Sequence, residues 1–379
     1  MLASDSTAPD PRAHASHGAR GVIDVSASAP KAAAVRGLAS HAGVWFAIGA
    51  AVAIVALSAL LLEAGGYDSM LALRALWNGS VGSRYALTSA SLVRATPLIL
   101  TGLAVALAFR AGVFNIGAEG QLLVGAAVSA VIGVKLSTML GVLTLPVELV
   151  AGAVAGACWA GVAAWLRSRF HVLEVISTIM LNFLALHAVG YLVRGPLQEP
   201  LRIYPQTDAL PSVAQMPRLI PGTRLHWGLV VAVVMAVLLW WVLRYTAAGF
   251  RLRAAGTNPS AARSAGLIDV GRVTVVAFLA SGAFAGLAGA VELAGVTFAL
   301  YENISPGYGY TAIAVALLAR LNPLAVIGTG FFLGALEAGG SAMQRDAGVP
   351  AAFVSVIEAG IVLAVIAFDR LRRDWNSSS

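Results

Sequence analysis

Ten apolar runs constrain this chain more than any other feature. A helix needs roughly 20 mostly apolar residues to cross the ~30 Å hydrocarbon core of a bilayer. Runs of this kind lie at 43–63, 88–109, 118–136, 146–166, 173–193, 228–244, 272–293, 309–320, 324–341 and 350–369. The eighth and ninth are short and also read as one broken hairpin. In lipid every backbone polar group must be satisfied internally, so such runs fold as helices. Of the 379 residues, 59% are hydrophobic and 11% charged, against about 25% charged in a soluble domain. The expected fold class is an all-α polytopic membrane protein with about ten transmembrane helices. Disordered, collagen-like and disulfide-rich secreted classes are excluded. The first run is too long for a signal-peptide core and lacks a clear cleavage site, so it reads as a retained helix.

Basic residues set the orientation. With the N-terminus inside, 16 of the 25 Lys and Arg fall on the inner side and 8 on the outer, with Arg94 within a helix. Both termini are therefore expected in the cytoplasm. The net charge of +7 belongs to those loops, and no nucleic-acid partner is implied. Residues 1–40, rich in Ala, Ser, Pro and charge, read as a disordered cytoplasmic tail. Residues 41–372 form the transmembrane domain, and 373–379 a short cytoplasmic end.

Two loops stand out. The outer segment 195–227 carries Pro196, Pro200, Pro205, Pro211, Pro217 and Pro221, and reads as irregular but ordered. The inner segment 245–271 holds a short helical stretch from Pro259 to Ala265. There Asn258 is placed to cap, Pro259 takes the first helical position and Gly266 closes the helix. A capped amphipathic helix in such a loop is either a docking element or a solvated turn.

Ionisable residues inside a bilayer are expensive and usually face a bundle interior or a cavity. Arg94, Glu119, Glu174, Glu292, Glu337 and Glu358 qualify. The segment AGVFNIGAEGQ, 111–121, sets Asn115, Glu119 and Gln121 among glycines between two apolar runs. It reads either as a broken helix near a translocation path or as an ordinary cytosolic turn. Glu174, Ser177, Thr178 and Asn182 share one helix face. Ser177 and Thr178 suit interhelical hydrogen bonding, and Asn182 a pathway. Glu337 and Glu358, amid small neighbours, could share a proton, pair with Arg94 or join a structural network. In FALYENISPGYGY, 298–310, Tyr301 and Glu302 sit among Phe298, Tyr308 and Tyr310. Such aromatics form an interfacial belt or stack on a planar base.

Lys31 and Lys135 are the only lysines, and neither lies in a P-loop. Cys158 is the single cysteine and reads as a packing residue. No motif of a metalloprotease, serine hydrolase or redox dithiol is present. His171, His187 and His226 show no ligand spacing, so no metal site is expected.

The stretch RATPLILTGLAVALAFRAGVFNIGAEGQLLVGA, 94–126, resembles the signature of permease subunits of bacterial ABC importers of the ribose/branched-chain amino-acid permease superfamily, nearest to nucleoside-type permeases. EVISTIMLNF at 174–183, GTNPSAARSAGL at 256–267 and SPGYGYTAIAVALLARLNPLAV at 305–326 agree with it. The resemblance implies a type II-like permease fold in the inner membrane, and two permease subunits, identical or homologous, around a pathway. It also implies a separate ATPase subunit that binds the ATP, and a periplasmic or lipid-anchored substrate-binding protein. The chain itself would hold no cofactor and perform no catalysis. Residues 256–267 look like the coupling helix that inserts into the ATPase, with Asn258, Pro259, Ala261, Ala262, Arg263 and Gly266 as the coupling residues and Ala261, Ala262 and Gly266 as its small-residue core. Asn115, Glu119, Gln121, Asn182, Tyr301, Glu302, Glu337 and Glu358 are the candidate pathway residues. The expected cargo is a nucleoside, purine-type favoured. Rival readings are a sugar or branched-chain amino-acid permease, a proton-coupled carrier using Glu337 and Glu358, and a membrane enzyme on lipid-linked substrates.

Overall fold

The computed structural model describes residues 52–264, 266 and 268–378. The expected 1–40 tail and the first part of the 43–63 run lie outside the described residues. The helices are α1 Val52–Ala64, α2 Ser69–Ser80, α3 Arg84–Arg110, α4 Ala118–Lys135, α5 Ser137–Phe170 and α6 Glu174–Arg194. They continue with α7 Gly228–Tyr245, α8 Ala247–Thr257, α9 Pro259–Ser264, α10 Val270–Thr297, α11 Tyr308–Leu318, α12 Pro323–Asp346 and α13 Ala351–Ser378. No strand is formed among the described residues, only two isolated bridges.

Among the described residues, seven helices are long and apolar enough to cross a membrane: α3, α4, α5, α6, α7, α10 and α12. Three shorter apolar helices, α1, α11 and the Ala351–Ala367 part of α13, account for the other runs. Two helices have no counterpart in the hydropathy. The first is α2, where the Asp68 carboxylate accepts from Leu71 N at 2.9 Å and Ala72 and Ala75 are buried. The second is α8, where Thr246 Oγ1 accepts from Gly249 N at 3.1 Å and Gly249, Leu252 and Ala255 are buried. Both are short and capped, and neither carries a long apolar run. Cys158, expected as a packing residue, is exposed on α5.

Helix α3 lies at the centre, with every residue from Ala95 to Ala108 buried. Against it pack α7, α10, α11 and α12, and on the far side of α10 the helices α4, α5 and α10 approach one another at glycines. In lipid no water-driven force presses helices together, so small residues that permit close contact do this work. Gly152 and Gly156 of α5 face Gly282 and Gly286 of α10. A Cβ on Gly286 would stand 2.2 Å from Gly152 O, and one on Gly156 2.3 Å from Gly282 O.

The region 298–307 decides the architecture of one end. A π-turn over Leu293–Thr297 ends α10, and Phe298 leaves it with φ 56°. The backbone then pairs with the long outer segment: Thr207 N donates to Leu300 O at 2.9 Å and Leu210 N to Phe298 O at 2.7 Å. From there the chain runs inward to α11. At 11 residues, α11 is about 16 Å long, half the hydrocarbon thickness. A turn through Arg320 (φ 50°) and Leu321 (φ 58°) reverses the chain into α12, capped by Asn322 with Pro323 in its first turn.

Candidate functional site

Two helix starts converge inside the bundle. After α3 the chain leaves helical geometry at Ala111, passes Gly112 (φ 74°) and re-enters at Ala118. Asn115, fully buried, organises this break. Its Oδ1 accepts from Gly117 N at 2.9 Å and from Gln121 Nε2 at 3.0 Å. Its Nδ2 donates to Gln121 Oε1 at 3.0 Å and Ser281 Oγ at 2.9 Å. Ser281 donates onward to Ala104 O at 2.8 Å, which ties α10 to α3. From α6, Asn182 Oδ1 accepts from Gly120 N at 2.8 Å, and its Nδ2 donates to Ile116 O at 2.9 Å. Thr178 Oγ1 accepts from Ile116 N at 3.3 Å. Tyr310 of α11 closes the ring through its hydroxyl, 3.4 Å from Asn182 Nδ2.

Glu119 joins the two starts. Its Oε2 accepts from Gly309 N, in the first turn of α11, at 2.7 Å, and the Ser305 side chain hydrogen-bonds the same carboxyl. The carboxylate thus sits where the positive ends of α4 and α11 meet. Irregular backbone at this depth survives only where protein or water satisfies it. Here side chains of neighbouring helices do so.

A second cluster lies among α3, α10, α12 and α13. Arg94 donates to Ser341 Oγ at 3.1 Å. The same guanidinium is in electrostatic range of Glu292, Glu337 and Glu358. Glu292 is 4% exposed, and its Oε2 has no hydrogen-bond partner among the described residues. Arg224, from the outer segment, and buried Tyr308 belong to the same electrostatic neighbourhood. Nearer the surface, burial, with Glu292 alongside, pushes the Tyr301 phenol above its ordinary value, so it stays a neutral donor. This group offers several oxygen acceptors and two cations, Arg94 and Arg224. It suits a solute bearing hydroxyls and needs no bond to be broken.

The eight candidate pathway residues thus separate into three places. Asn115, Glu119, Gln121 and Asn182 share the seam at the helix break. Glu337 and Glu358 join the Arg94 cluster. Tyr301 and Glu302 lie on the outer stretch, where Tyr301 bridges Gln206 and Glu302 pairs with Arg194 of α6. The aromatics of 298–310 do not form one belt: Tyr308 is buried, Tyr310 reaches Asn182 and Tyr301 is 37% exposed. Ser281 escaped sequence reasoning because one serine in an apolar run carries no pattern. Arg94 and Glu292 were visible as costly charges, but only the fold joins them.

At the opposite end, Asn258 Oδ1 accepts from Ala261 N at 3.0 Å and caps α9. Gly266 has φ 69°. Ala262 is buried against Ala255 and Val270, while Asn258, Pro259, Ala261 and Arg263 are exposed. Helix α8 abuts the end of α3 at Gly256, where a Cβ would stand 2.1 Å from Arg110 O. The exposed loop is therefore in backbone contact with the chain segment that leads directly into the Asn115 seam.

The family described as branched-chain amino acid transport system / permease component matches residues 87–366. Over 343 residues the chain is 39% identical to the glucose ABC transporter permease protein TsgB13 of Haloferax volcanii, covering 87% of this chain and 90% of that one. Over 315 residues it is 38% identical to the guanosine ABC transporter permease protein NupP of Bacillus subtilis, covering 82% and 89%. Over 318 residues it is 29% identical to the nucleoside ABC transporter permease protein NupB of Lactococcus lactis, covering 82% and 86%. No solved structure matches the chain.

Proposed function

The chain belongs to the family of permease components of branched-chain amino acid transport systems, and from that membership we propose that it is the membrane-spanning subunit of an ATP-driven nucleoside importer. The observation that carries the substrate class is the agreement with a guanosine permease over most of both chains. Purine nucleosides are the favoured cargo. They carry ribose hydroxyls for the carboxylates of the Arg94 cluster and a planar base for the tyrosines. The glucose permease of similar identity makes a sugar the nearest rival.

In this reading the chain crosses the inner membrane ten times, once through the 298–307 segment together with the short α11, with both termini in the cytoplasm. The chain pairs with a second permease subunit. A separate ATPase subunit docks on α9 through Asn258, Pro259, Ala261, Arg263 and Gly266, while Ala262, expected among these residues, instead packs α9 against α8 and α10. A periplasmic or lipid-anchored binding protein delivers the solute to the outer segment 195–227. ATP-driven closure of the ATPases pushes α9, and α8 transmits that push to the end of α3 through the Gly256 contact. The break at 111–117 and its Asn115 seam then move relative to α6, α10 and α11, in the manner of a rigid-body switch between two packed states. No covalent step occurs on the solute.

The test is uptake of labelled guanosine, adenosine, uridine, ribose and glucose into vesicles holding this chain with its partner subunits. ATP is present or absent on the ATPase side, with and without a protonophore. ATP-dependent nucleoside uptake that ignores the protonophore is expected. Uptake of glucose alone would replace the substrate class. Uptake that ignores ATP and collapses with the protonophore would move the energy source to a carrier built on Glu337 and Glu358.

A further inference from the structure

A cavity of about 670 Å³ lies between α3, α7, α8 and α10, outside both polar clusters described above. Its shaft is apolar, formed by side chains such as Leu239, Val242, Val276 and Phe284. Leu238 and Val276 on its rim are 47% and 56% exposed, so the shaft opens sideways between α7 and α10. From Arg272 to Phe284 helix α10 advances about 18 Å, close to the ~15 Å hydrocarbon depth of one leaflet. Arg251 and Arg272 line the cavity at the end where α8 and the start of α10 lie. Both are exposed. Asp269, the remaining charged residue of the lining, is already engaged as the cap of α10, accepting from Arg272 N at 3.0 Å.

An apolar shaft about one leaflet deep, with two guanidinium groups at its mouth, selects its occupant. A nucleoside or sugar inside it would leave hydroxyls without partners. A free phosphate would occupy the mouth and leave the shaft unfilled. A phospholipid satisfies both ends: guanidinium groups bind phosphate oxygens in paired, charge-assisted hydrogen bonds, and an acyl chain replaces bilayer lipid along the shaft. Counting Asp269, the lining carries a formal net charge of +1, which favours a headgroup of net negative charge, as basic pockets between membrane helices do. We propose that this cavity binds one anionic phospholipid, its phosphate on Arg251 and Arg272 and an acyl chain lying between α7 and α10. In the orientation given above the lipid comes from the inner leaflet. The site does not depend on which solute is carried.

The full-length chain is placed in nanodiscs of phosphatidylglycerol or phosphatidylcholine with matched acyl chains, and the lipid retained on release is counted by native mass spectrometry. One phosphatidylglycerol per chain is expected to persist, with little phosphatidylcholine. Arg251→Gln with Arg272→Gln should weaken retention about 30-fold, the equivalent of two basic contacts at about 1 kcal/mol each. Ala280→Trp, which fills the shaft and leaves both arginines, should abolish it. Arg244→Gln, an arginine near the same end but outside the cavity lining, should retain the lipid. Equal retention of both lipids, retention unchanged in the double variant or in Ala280→Trp, or equal loss in Arg244→Gln, would each overturn the proposal. Self-association of the chain with no retained lipid would assign the groove to a second copy instead.

Discussion

Asn115 makes four side-chain hydrogen bonds and is fully buried. Truncating it strands both ends of the Gln121 amide and the Gly117 N–H, while Ser281 keeps its bond to Ala104 O. Each stranded group costs about 1–3 kcal/mol. Asn115→Ala should therefore lower the unfolding midpoint of the detergent-purified chain by several degrees. Asn115→Ser, which keeps one donor and one acceptor, should recover part of the loss; a midpoint equal to wild type for both variants would remove Asn115 from its structural role. His226, in the outer segment, is buried at 1% exposure beside Gly228 and Gly295. Burial, then the nearby Arg218 and Arg224, pushes its pKa down to about 4 from 6.5. The folded chain keeps the ring neutral while the unfolded chain takes up a proton below 6.5. This contribution to stability is thus complete above pH 6.5 and lost as pH falls toward 4, by on the order of 3 kcal/mol. His226→Gln should flatten that part of the stability–pH curve, measured by thermal unfolding from pH 4 to 7.

At the scale of elements, the α5–α10 contact and the α8–α3 contact make opposite predictions. Gly286 lies against Gly152 and Gly156 across two helices that have no room to separate. Gly286→Leu should force them apart and reduce the amount of folded protein in the membrane, read by the monodisperse peak after extraction. Gly256 touches the end of α3 from α8, which is not one of the spanning helices, so displacing it leaves the spanning bundle in place. Gly256→Val should leave insertion and yield near wild type yet cut ATP-driven uptake at least tenfold, because the loop no longer moves with α3. Normal uptake at normal yield would remove α8 from the coupling path. The spanning helices themselves were legible, since a 20-residue apolar run has no other satisfied state in lipid. Helices α2 and α8 were not, because each is held by one cap and a few small buried residues. The run at 309–320 reads as short in the sequence, but hydropathy gives neither its half-length, nor the full 24 residues of α12 after it, nor that its start lies against Glu119 rather than at a surface.

For the whole molecule, orientation is the accessible measurement. In a Cys158→Ser background, Arg263→Cys should react with a membrane-impermeant maleimide only in inside-out vesicles, and Ser212→Cys only from the outer side. Exchanged sides would invert the reading, and labelling of both from one side would show that α7 does not cross. The apolar runs, the charge bias and the Asn258–Pro259–Gly266 pattern are local properties, so the sequence alone determined that the chain is a helical membrane protein with a capped loop helix. Which polar residues act together was decided by tertiary structure. Asn115 and Ser281 are 166 positions apart, and Glu119 and Gly309 are 190 apart. Periodicity relates residues only within one helix. It places Glu119, Asn182 and Glu337 each on a face, but the partner of a buried polar group is chosen by which helices pack together. In this chain that choice rests on close glycine contacts and on the inward course of 298–307, and both exist only once the helices have assembled.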